Sequence, residues 1–341
     1  MPGELTTRVI CDFRELGSIR SDWHALWEIS PVATPFQRPQ WLLPWVEVFS
    51  PEKLRIIEVR RAEKLIGLAP LLIYSRDSAR VLALAGGGVS DYLDALVHPS
   101  SQVEALAAIM QTIEELHEEW DVAEFTDLPP SSPLFGLRCS LWNESHDACP
   151  VLRIPRGASD LSEFIPSYQL RNLRNAHNRA EKLVCASIQK ATNANADMFL
   201  DALFRLHSLR WNSQGMTGVL CNAKLRAFHS RVVQDLLPQN VVRLYGMRCS
   251  NRLIAVLYAI FERDIAYYYL QGFDPEFAWY SPGTQLIAAV VEDAVKEGKR
   301  QVDFLRGREK YKYAWGAQDR ITTRLTYAAV ADLRPSSKIS A

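Results

Sequence analysis

Apolar residues recur along the chain in two patterns, and each pattern predicts a different element. Short apolar runs rich in aromatic and β-branched residues, such as 265–270 (IAYYYL), predict strands. A helix is predicted after residue 284, where apolar positions lie three and four residues apart. Those positions are Leu286, Ile287, Val290, Val291 and Ala294. A second buried strand is predicted for 301–305, so this stretch predicts a βαβ unit.

The same alternation of strands and helices extends over the whole chain. Before residue 130 the pattern predicts strands at 8–13, 54–61, 65–74, 81–84 and 121–128, and helices at 21–30, 40–49 and 103–120. After residue 160 it predicts helices at 161–182, 198–211, 224–237 and 309–316, and further strands at 241–249, 252–262 and 321–330. The stretch 129–155 is interpreted as a linker. We therefore predict domains at 1–150 and 151–335, followed by a flexible tail at 336–341.

Composition narrows the classes of function. The chain has 341 residues, enough for two ordinary domains. Lys plus Arg equals Asp plus Glu at 39 each, so no overall charge favours nucleic acid or a membrane surface. The six cysteines are scattered without the spacing of metal ligands, and no run approaches the roughly 20 apolar residues of a membrane helix. With no signal peptide recognised at the N-terminus, these features predict a cytoplasmic protein without a metal.

Two short stretches have the composition of phosphate-binding loops. Ser281, Pro282, Gly283 and Thr284 stand at the start of the predicted helix, where free backbone N–H groups suit a phosphate or pyrophosphate. The triplet 86–88 (GGG) can also cradle a phosphate, or it can simply form a tight turn.

The residues after the glycine triplet form a candidate polar site. Asp91 and Tyr92 directly follow it and are predicted to contact a substrate. In the alternative interpretation, Asp91 forms an Asx turn and Tyr92 packs beneath that turn.

The C-terminal third carries a pattern that can be compared with known families. Tyr-Ser-Pro-Gly precedes the helix, and Asp-Phe, Gly, Glu and Tyr-Lys follow it before an aromatic residue. The positions are Tyr280, Ser281, Pro282, Gly283, Asp303, Phe304, Gly307, Glu309, Tyr311, Lys312 and Trp315. This order resembles the C-terminal half of the GNAT acyltransferases. More narrowly, it resembles the group associated with bacterial cellulose biosynthesis (CelD/BcsL-type), which is related to the Fem-type peptidoglycan aminoacyltransferases.

The resemblance implies a fold and a reaction. The implied fold class is α/β (α+β), with two GNAT-like lobes, each a mixed, largely antiparallel sheet flanked by helices. The N-terminal lobe would be a degenerate repeat. Acetyl-CoA or another acyl-CoA would be the co-substrate, and the acceptor would attack its thioester directly. The usual GNAT pyrophosphate signature, a basic residue or Gln before Gly-x-Gly, is absent here, and only Gly283 remains of it.

Site residues follow from the same resemblance. The implied catalytic residues are Lys312, Asp303, Glu309 and Tyr311. Lys312 corresponds to a lysine near the acyl group or acceptor in Fem-type enzymes, and Tyr311 or Tyr313 would protonate the departing thiolate. Burial of Asp303 in an apolar strand would raise its pKa. Alternatively, Asp303 forms a salt bridge with a nearby basic residue, namely Arg306, Arg308 or Lys312. The implied cofactor-binding residues are Ser281, Pro282, Gly283, Thr284 and Gln271.

Further substrate-binding residues are predicted on two helices. Arg171 and Arg174 share a face of the basic helix 161–182, as an anion-binding surface or as a solvated face. His207, Arg210 and Trp211 resemble a Leu-His-x-x-Arg-Trp element of the same group, although His207 can equally be a structural histidine.

Three functions remain open from the sequence. The first is acyl transfer from an acyl thioester to an amine or hydroxyl of a sugar, a polysaccharide precursor or a related metabolite. The second is tRNA-dependent aminoacyl transfer of the Fem type, which the basic helix supports. The third is a non-catalytic GNAT-fold protein that regulates polysaccharide synthesis. The expected partners are the acyl donor and a small-molecule or saccharide acceptor. The protein is also expected to associate peripherally with a polysaccharide-synthesis complex, and DNA is not an expected partner.

Overall fold

The computed structural model describes residues 4–137, 142–182, 187–212 and 222–328. The chain divides into two compact units: unit 1 is residues 1–147 with the segment that begins at Ile321, and unit 2 is residues 148–320. The sequence-based division at residue 150, with a second domain to 335, stays a prediction. The predicted tail at 336–341 lies outside the described residues.

Within the described residues, unit 1 has six complete strands and three α-helices. The strands are β1 Leu5–Ile10, β2 Lys53–Arg61, β3 Lys64–Arg76, β4 Ala79–Leu84, β5 Leu96–Val97 and β6 Val122–Leu128. The helices are α1 Arg20–Ile29, α2 Pro39–Phe49 and α3 Gln102–Glu115. Short 3-10 helices lie at Phe13–Ile19, Pro35–Gln37, Pro99–Ser101 and Pro133–Gly136.

Unit 2 continues the same alternation. A strand β7, Trp142–Arg153, crosses the division between the units, as does the last strand of the chain. The elements that follow β7 are α4 Ser167–Ala180, β8 Ser187–Lys190, α5 Ala196–Asn212, α6 Ala223–Leu236, β9 Val242–Cys249, β10 Arg252–Glu262, β11 Ile265–Phe273, α7 Pro282–Lys296, β12 Gln301–Asp303, α8 Lys310–Ala314 and β13 Gln318–Ala328. Two 3-10 helices lie at Leu161–Glu163 and Pro275–Tyr280.

The sheet of unit 1 has the strand order β1-β2-β3-β4-β6-β13. Its pairs along this order are antiparallel except β4–β6, which are parallel from Val81–Val122 to Ala83–Glu124 and are connected through α3. The core lies between this sheet and α3, because alternate strand residues such as Ile57 and Val59 pack with Ala105 of the helix.

The sheet of unit 2 has the order β7-β12-β11-β10-β9-β8, and β11–β12 is its parallel pair. Helix α7 connects those two strands and packs on one face of the sheet, where Leu286 and Val290 meet Leu257 and Tyr268 in one core cluster. Helix α5 also packs on β10 and β11. At Gly272 of β11 this packing is so close that a Cβ would lie 2.5 Å from the backbone nitrogen of His207.

Both units therefore have the predicted α/β class, with mixed, largely antiparallel sheets flanked by helices. The predicted linker at 129–155 was wrong in part, because β7 occupies twelve of its residues. The strand escaped detection because WNESHDA is mostly polar and exposed, and only its second half is buried. Among the described residues, no helix is both long and apolar enough to cross a membrane.

Candidate active site

The candidate site begins where the parallel strands of unit 2 separate. Pairing of β11 with β12 ends at Tyr267–Asp303, while β11 continues to Phe273. The chain after β12 turns at Leu305, which has a left-handed backbone (φ 57°). The register of β11 against β10 shifts by one residue at Tyr269, which forms a bulge next to this point. Bulges are common beside active sites because they redirect the strand and interrupt its pairing.

A chain of hydrogen bonds follows the edge of this opening. The Tyr311 hydroxyl donates to the Tyr268 hydroxyl at 3.3 Å, and Tyr268 donates to Gln271 Oε1 at 2.5 Å. The Tyr268 ring also packs against Phe304, with ring centroids 5.7 Å apart. Two predicted site residues, Tyr311 and Gln271, are thus brought together through Tyr268, which the sequence did not single out.

The first turn of α7 lies at the far end of that chain. Ser281 has a left-handed backbone (φ 48°), and no side chain caps the helix. Pro282 occupies the first helical position, where its missing N–H is not needed. Gly283 leaves no side chain in the way, and a Cβ there would lie 2.5 Å from Gln271 Nε2.

Gln271 supplies a free donor at the same turn. Its side chain is buried, with 8% of the residue exposed, and its Nε2 has no hydrogen-bond partner among the described residues. An orphaned buried amide costs free energy unless something outside the chain accepts its hydrogen bond. The cradle at Gly283, the uncapped helix and the amide together fit an anionic group such as the phosphates of a nucleotide-linked acyl donor.

Helix α4 adds a basic residue to this turn. Arg179, in its last turn, donates from Nη2 to Ser281 Oγ at 3.2 Å, and its guanidinium lies 5.0 Å from the ring centroid of Trp279. Arg179 belongs to the predicted basic helix, but Arg171 and Arg174 were the residues selected there. Its contact with residue 281 depends on how α4 packs against α7, which local sequence does not reveal.

Asp303 is fully buried at the end of β12. Its Oδ1 accepts from the backbone N–H of Leu305 at 2.8 Å, and its Oδ2 pairs with Arg320 Nη1 at 2.8 Å. Arg320 also donates to Gln301 Oε1 at 2.5 Å. A salt bridge was the alternative that the sequence left open, but the observed partner is Arg320 and was not among the basic residues considered.

Lys312 is also buried, with 2% of the residue exposed. Its ammonium donates to the backbone carbonyls of Leu305, Arg306 and Gly307 at 3.1, 2.7 and 3.1 Å, and Glu309 Oε2 lies 2.9 Å away. An ammonium has three N–H donors, so these acceptors occupy all of them. The geometry therefore favours Lys312 as the residue that holds the turn after β12 in place. Its predicted contact with an acyl group stays a prediction.

The predicted substrate-binding residues of unit 2 lie on α4 and α5. Arg171 and Arg174 are exposed on α4, and Arg174 lines a cleft of about 700 Å³ between α4 and α7. His207 is buried on α5 behind Gly272. The side chains of Arg210 and Trp211 lie outside the described residues. Substrate binding by this set stays a prediction.

In unit 1 the parallel pair β4–β6 corresponds to the pair β11–β12 of unit 2. The loop between β4 and β5 closes the space beyond it. Beyond Ala83–Glu124, the pair β4–β6 separates as β11–β12 does, but the backbone N–H of Leu93 donates to the Asp127 carbonyl at 3.1 Å. Tyr92 is buried in the same loop, with 1% exposed. Trp41 and Trp45 donate to Ser90 Oγ and the Gly87 carbonyl, so the glycine triplet forms a turn held by tryptophans. A substrate role for Asp91 and Tyr92 stays a prediction.

The part of the chain that the structure describes contains no group of three or more His, Cys, Asp or Glu side chains placed to hold a metal ion. Cys11, Cys149 and Cys249 are free thiols. The opening presents backbone N–H groups, hydroxyls, one amide and the nearby guanidinium.

Residues 167–313 match the family model described as acetyltransferase (GNAT) domain. This segment is therefore similar to GNAT domains. No curated protein matches the sequence. Among solved structures, the chain is similar to FemX, with 12% identity over 95% of this chain and 97% of that one, at a TM-score of 0.67. It is also similar to L-PGS from Bacillus licheniformis, with 10% identity, 86% and 88% coverage and a TM-score of 0.55.

A third similar structure is the C-terminal domain of a putative lysylphosphatidylglycerol synthetase from Agrobacterium fabrum. It has 10% identity over 76% of this chain and 80% of that one, at a TM-score of 0.54. At these identities the similarity concerns the fold. The predicted GNAT-like fold is confirmed, and the family match supports an acyltransferase.

Proposed function

We propose that this acyltransferase moves an acetyl or other acyl group from an acyl-CoA to an amine or hydroxyl of a sugar, a polysaccharide precursor or a related metabolite. The observation that carries the proposal is the opening beyond Tyr267–Asp303, which ends at the uncapped first turn of α7. The proposed setting is the cytoplasm, at the periphery of a polysaccharide-synthesis complex, as in the CelD/BcsL-type group that the sequence resembles.

The donor fits unit 2 in two places. Its phosphates suit the first turn of α7, where Gly283 gives room and Gln271 Nε2 offers a hydrogen bond that no described residue accepts. Its thioester then lies in the strand opening, where the edge of β11 beyond Tyr267 is not paired with β12. Backbone N–H groups on that edge can stabilise negative charge that develops on the acyl oxygen.

The reaction needs no covalent intermediate on the protein. The acceptor nitrogen or oxygen forms a bond to the acyl carbon, the carbon–sulfur bond breaks, and the departing sulfur takes a proton. We assign that proton to the Tyr311 hydroxyl, which Tyr268 and Gln271 hold at the edge of the opening. The proton lost by the acceptor restores the phenol. Asp303 and Lys312 position the turn that carries α8.

Specific observations also support two other functions. The similarity to FemX and the exposed Arg171 and Arg174 favour a tRNA-dependent aminoacyltransferase of the Fem type, because exposed arginines suit a phosphate backbone. The missing Gly-x-Gly signature favours a non-catalytic protein that regulates polysaccharide synthesis through a bound ligand. The hydrogen-bond chain from Tyr311 to Gln271 favours a catalytic function over the regulatory one, because a binding protein needs no proton donor.

The test has two stages. Mass spectrometry of ligands that co-purify with the protein identifies the carrier, and calorimetry measures the affinity for coenzyme A. Single-turnover loss of acetyl-CoA thioester is then followed with amine and sugar acceptors. Thioester loss that depends on an acceptor supports the proposal. Binding without any turnover favours the regulatory function, and turnover only with aminoacyl-tRNA favours the Fem-type function.

A further inference from the structure

Beside the first turn of α7, three residues form what we call the aromatic corner: Trp279, Arg179 and Ser281. Trp279 is 72% exposed, although tryptophan is among the most costly side chains to leave in water. Arg179 covers the ring at 5.0 Å and donates to Ser281 Oγ at 3.2 Å. The indole is therefore held in one orientation by its contact with the guanidinium, while most of its surface remains open to solvent.

An exposed, pre-oriented indole is a platform for a flat aromatic ligand. Bases of any sequence stack on such rings, and an arginine beside the ring adds a cation–π contribution. Trp142, the other exposed tryptophan among the described residues, is 64% exposed, and no arginine covers its ring in the described structure. Trp279 and Trp142 are similarly exposed, so what distinguishes Trp279 is the arginine beside its ring.

The same corner offers groups for an anion. The first-turn N–H groups of α7 are free of any side-chain cap, and the buried Gln271 Nε2 at Gly283 has no partner among the described residues. Arg179 Nε is likewise buried and unpartnered within the described chain. Of the acids on the preceding loop, Asp274 is paired with Arg252, and Glu276 is exposed. Arg179 and the free N–H groups of the first turn are therefore the groups available to an anion.

We propose that the aromatic corner binds the adenine nucleotide of coenzyme A, with the base on Trp279 and phosphate oxygens at Arg179 and the first turn of α7. This inference rests on the proposed function and deepens it. The same pantetheine arm is also carried by acyl carrier proteins, which have no adenine. The corner therefore selects a nucleotide-borne thioester over a protein-borne one. The 3′-terminal adenosine of a tRNA shares the chemistry of a phosphorylated adenosine and is the other source to exclude.

Calorimetry with three probes tests the inference on the full chain. The probes are coenzyme A, 4′-phosphopantetheine, which lacks the nucleotide, and the trinucleotide CCA with a 5′-phosphate, which mimics a tRNA end. We expect the wild-type protein to bind coenzyme A at least about tenfold more tightly than 4′-phosphopantetheine, because a stacked base contributes that much. Trp279→Ala should reduce that advantage and leave the affinity for 4′-phosphopantetheine unchanged.

Two further variants make the result specific. Trp279→Phe keeps a stacking ring and should retain most of the advantage. Trp142→Ala removes the other exposed tryptophan and should change neither affinity. Since Trp279 is exposed and outside the core clusters, its removal should leave the unfolding curve unchanged, which circular dichroism checks.

The outcomes separate this inference from the proposed function. Equal affinity for coenzyme A in wild type and Trp279→Ala overturns the corner but leaves acyl transfer standing. Tight, Trp279-dependent binding of coenzyme A without turnover supports the corner and overturns the enzymatic proposal. Tighter binding of the CCA trinucleotide than of coenzyme A overturns coenzyme A as the source. Failure of the wild type to bind any probe overturns the corner, whereas the acceptor-dependent turnover assay still decides the proposed function.

Discussion

Gly283 packs directly against the side chain of Gln271, and a Cβ at residue 283 would lie 2.5 Å from the Gln271 amide nitrogen. Gly283 lies in the first turn of α7 and Gln271 lies near the end of β11, so this contact ties the helix start to the strand opening. The glycine is required by close packing, since its backbone is not left-handed. Any side chain at 283 must displace the amide that we assign to the donor's phosphates.

Gly283→Ala should therefore lower the free energy of unfolding by about 1–3 kcal/mol, the usual cost of an overpacked site. The physical cause is the displaced Gln271 side chain. In a Gln271→Ala background the same substitution should cost less than about 0.5 kcal/mol, since the clashing atoms are gone. Urea unfolding of the four proteins measures the coupling. Gly17→Ala, with no atom within 4 Å of its Cβ, is the neutral control; additive effects at 271 and 283 would contradict the contact.

Lys312→Met should destabilise the protein by about 2–4 kcal/mol, because it leaves buried carbonyls of Leu305, Arg306 and Gly307 without their donor. Lys310, exposed in the same short helix, is the matched control, and Lys310→Met should change stability by less than about 0.5 kcal/mol. Urea unfolding measures both. A stable Lys312→Met with kcat reduced about a hundredfold or more would instead favour direct contact with the reacting group.

The sequence predicted those features of the site that depend on neighbours along the chain. The βαβ unit and the free N–H groups at the start of α7 both come from local pattern. The order of strands and helices after residue 160 also came from local pattern, and the family resemblance interpreted that order as a GNAT-like lobe. Even β12 was predicted two residues too long, because Leu305 takes a left-handed backbone that apolar character does not reveal.

The remaining parts of the site are long-range contacts, which a single sequence does not specify. Tyr268 and Tyr311 are 43 residues apart and meet only because α8 packs over β11. Arg320 reaches Asp303 from β13, and Arg179 reaches Ser281 from α4. Lys312 illustrates the same limit, since its position on α8 was predicted but the direction of its ammonium depends on the turn beneath it.

Tyr311→Phe should lower kcat for acyl transfer about a hundredfold, the lower end of what a positioned general acid contributes. The variant keeps the ring packing on Tyr268 and removes the hydroxyl. KM for the donor should change little, because the phosphates bind at α7. Steady-state kinetics with a saturating acceptor measures both.

The matched control for Tyr311 lies two residues along the chain. Tyr313 donates from its hydroxyl to Asp319 at 2.7 Å on the exposed side of α8, so Tyr313→Phe should leave kcat within about threefold. If both variants lose the same activity, the effect comes from the stability of α8. If neither loses activity, the proton comes from elsewhere and the assignment of Tyr311 is wrong.

Asp94 should make the stability of the protein fall as the pH rises. Its carboxyl is buried, with 4% of the residue exposed, and burial raises its pKa to about 8 despite hydrogen bonds from Ser132 and the Ala95 N–H. Between pH 4 and 8 the unfolded chain has lost this proton while the folded chain keeps it. The folded state therefore binds more protons, and the free energy of unfolding decreases by up to about 1.4 kcal/mol per pH unit.

Asp94→Asn removes the titrating group, so the comparison of the two proteins isolates it. Burial of His229 lowers its pKa from the usual 6.5 to about 3. Between these two pH values His229 makes the free energy of unfolding rise with pH. This contribution is the same in both proteins. Urea unfolding at pH 5, 6, 7, 8 and 9 should show that the free energy of unfolding of the wild type, minus that of Asp94→Asn, decreases steadily and levels off above about pH 8. A difference that stays constant with pH would mean that Asp94 is ionised in the folded protein.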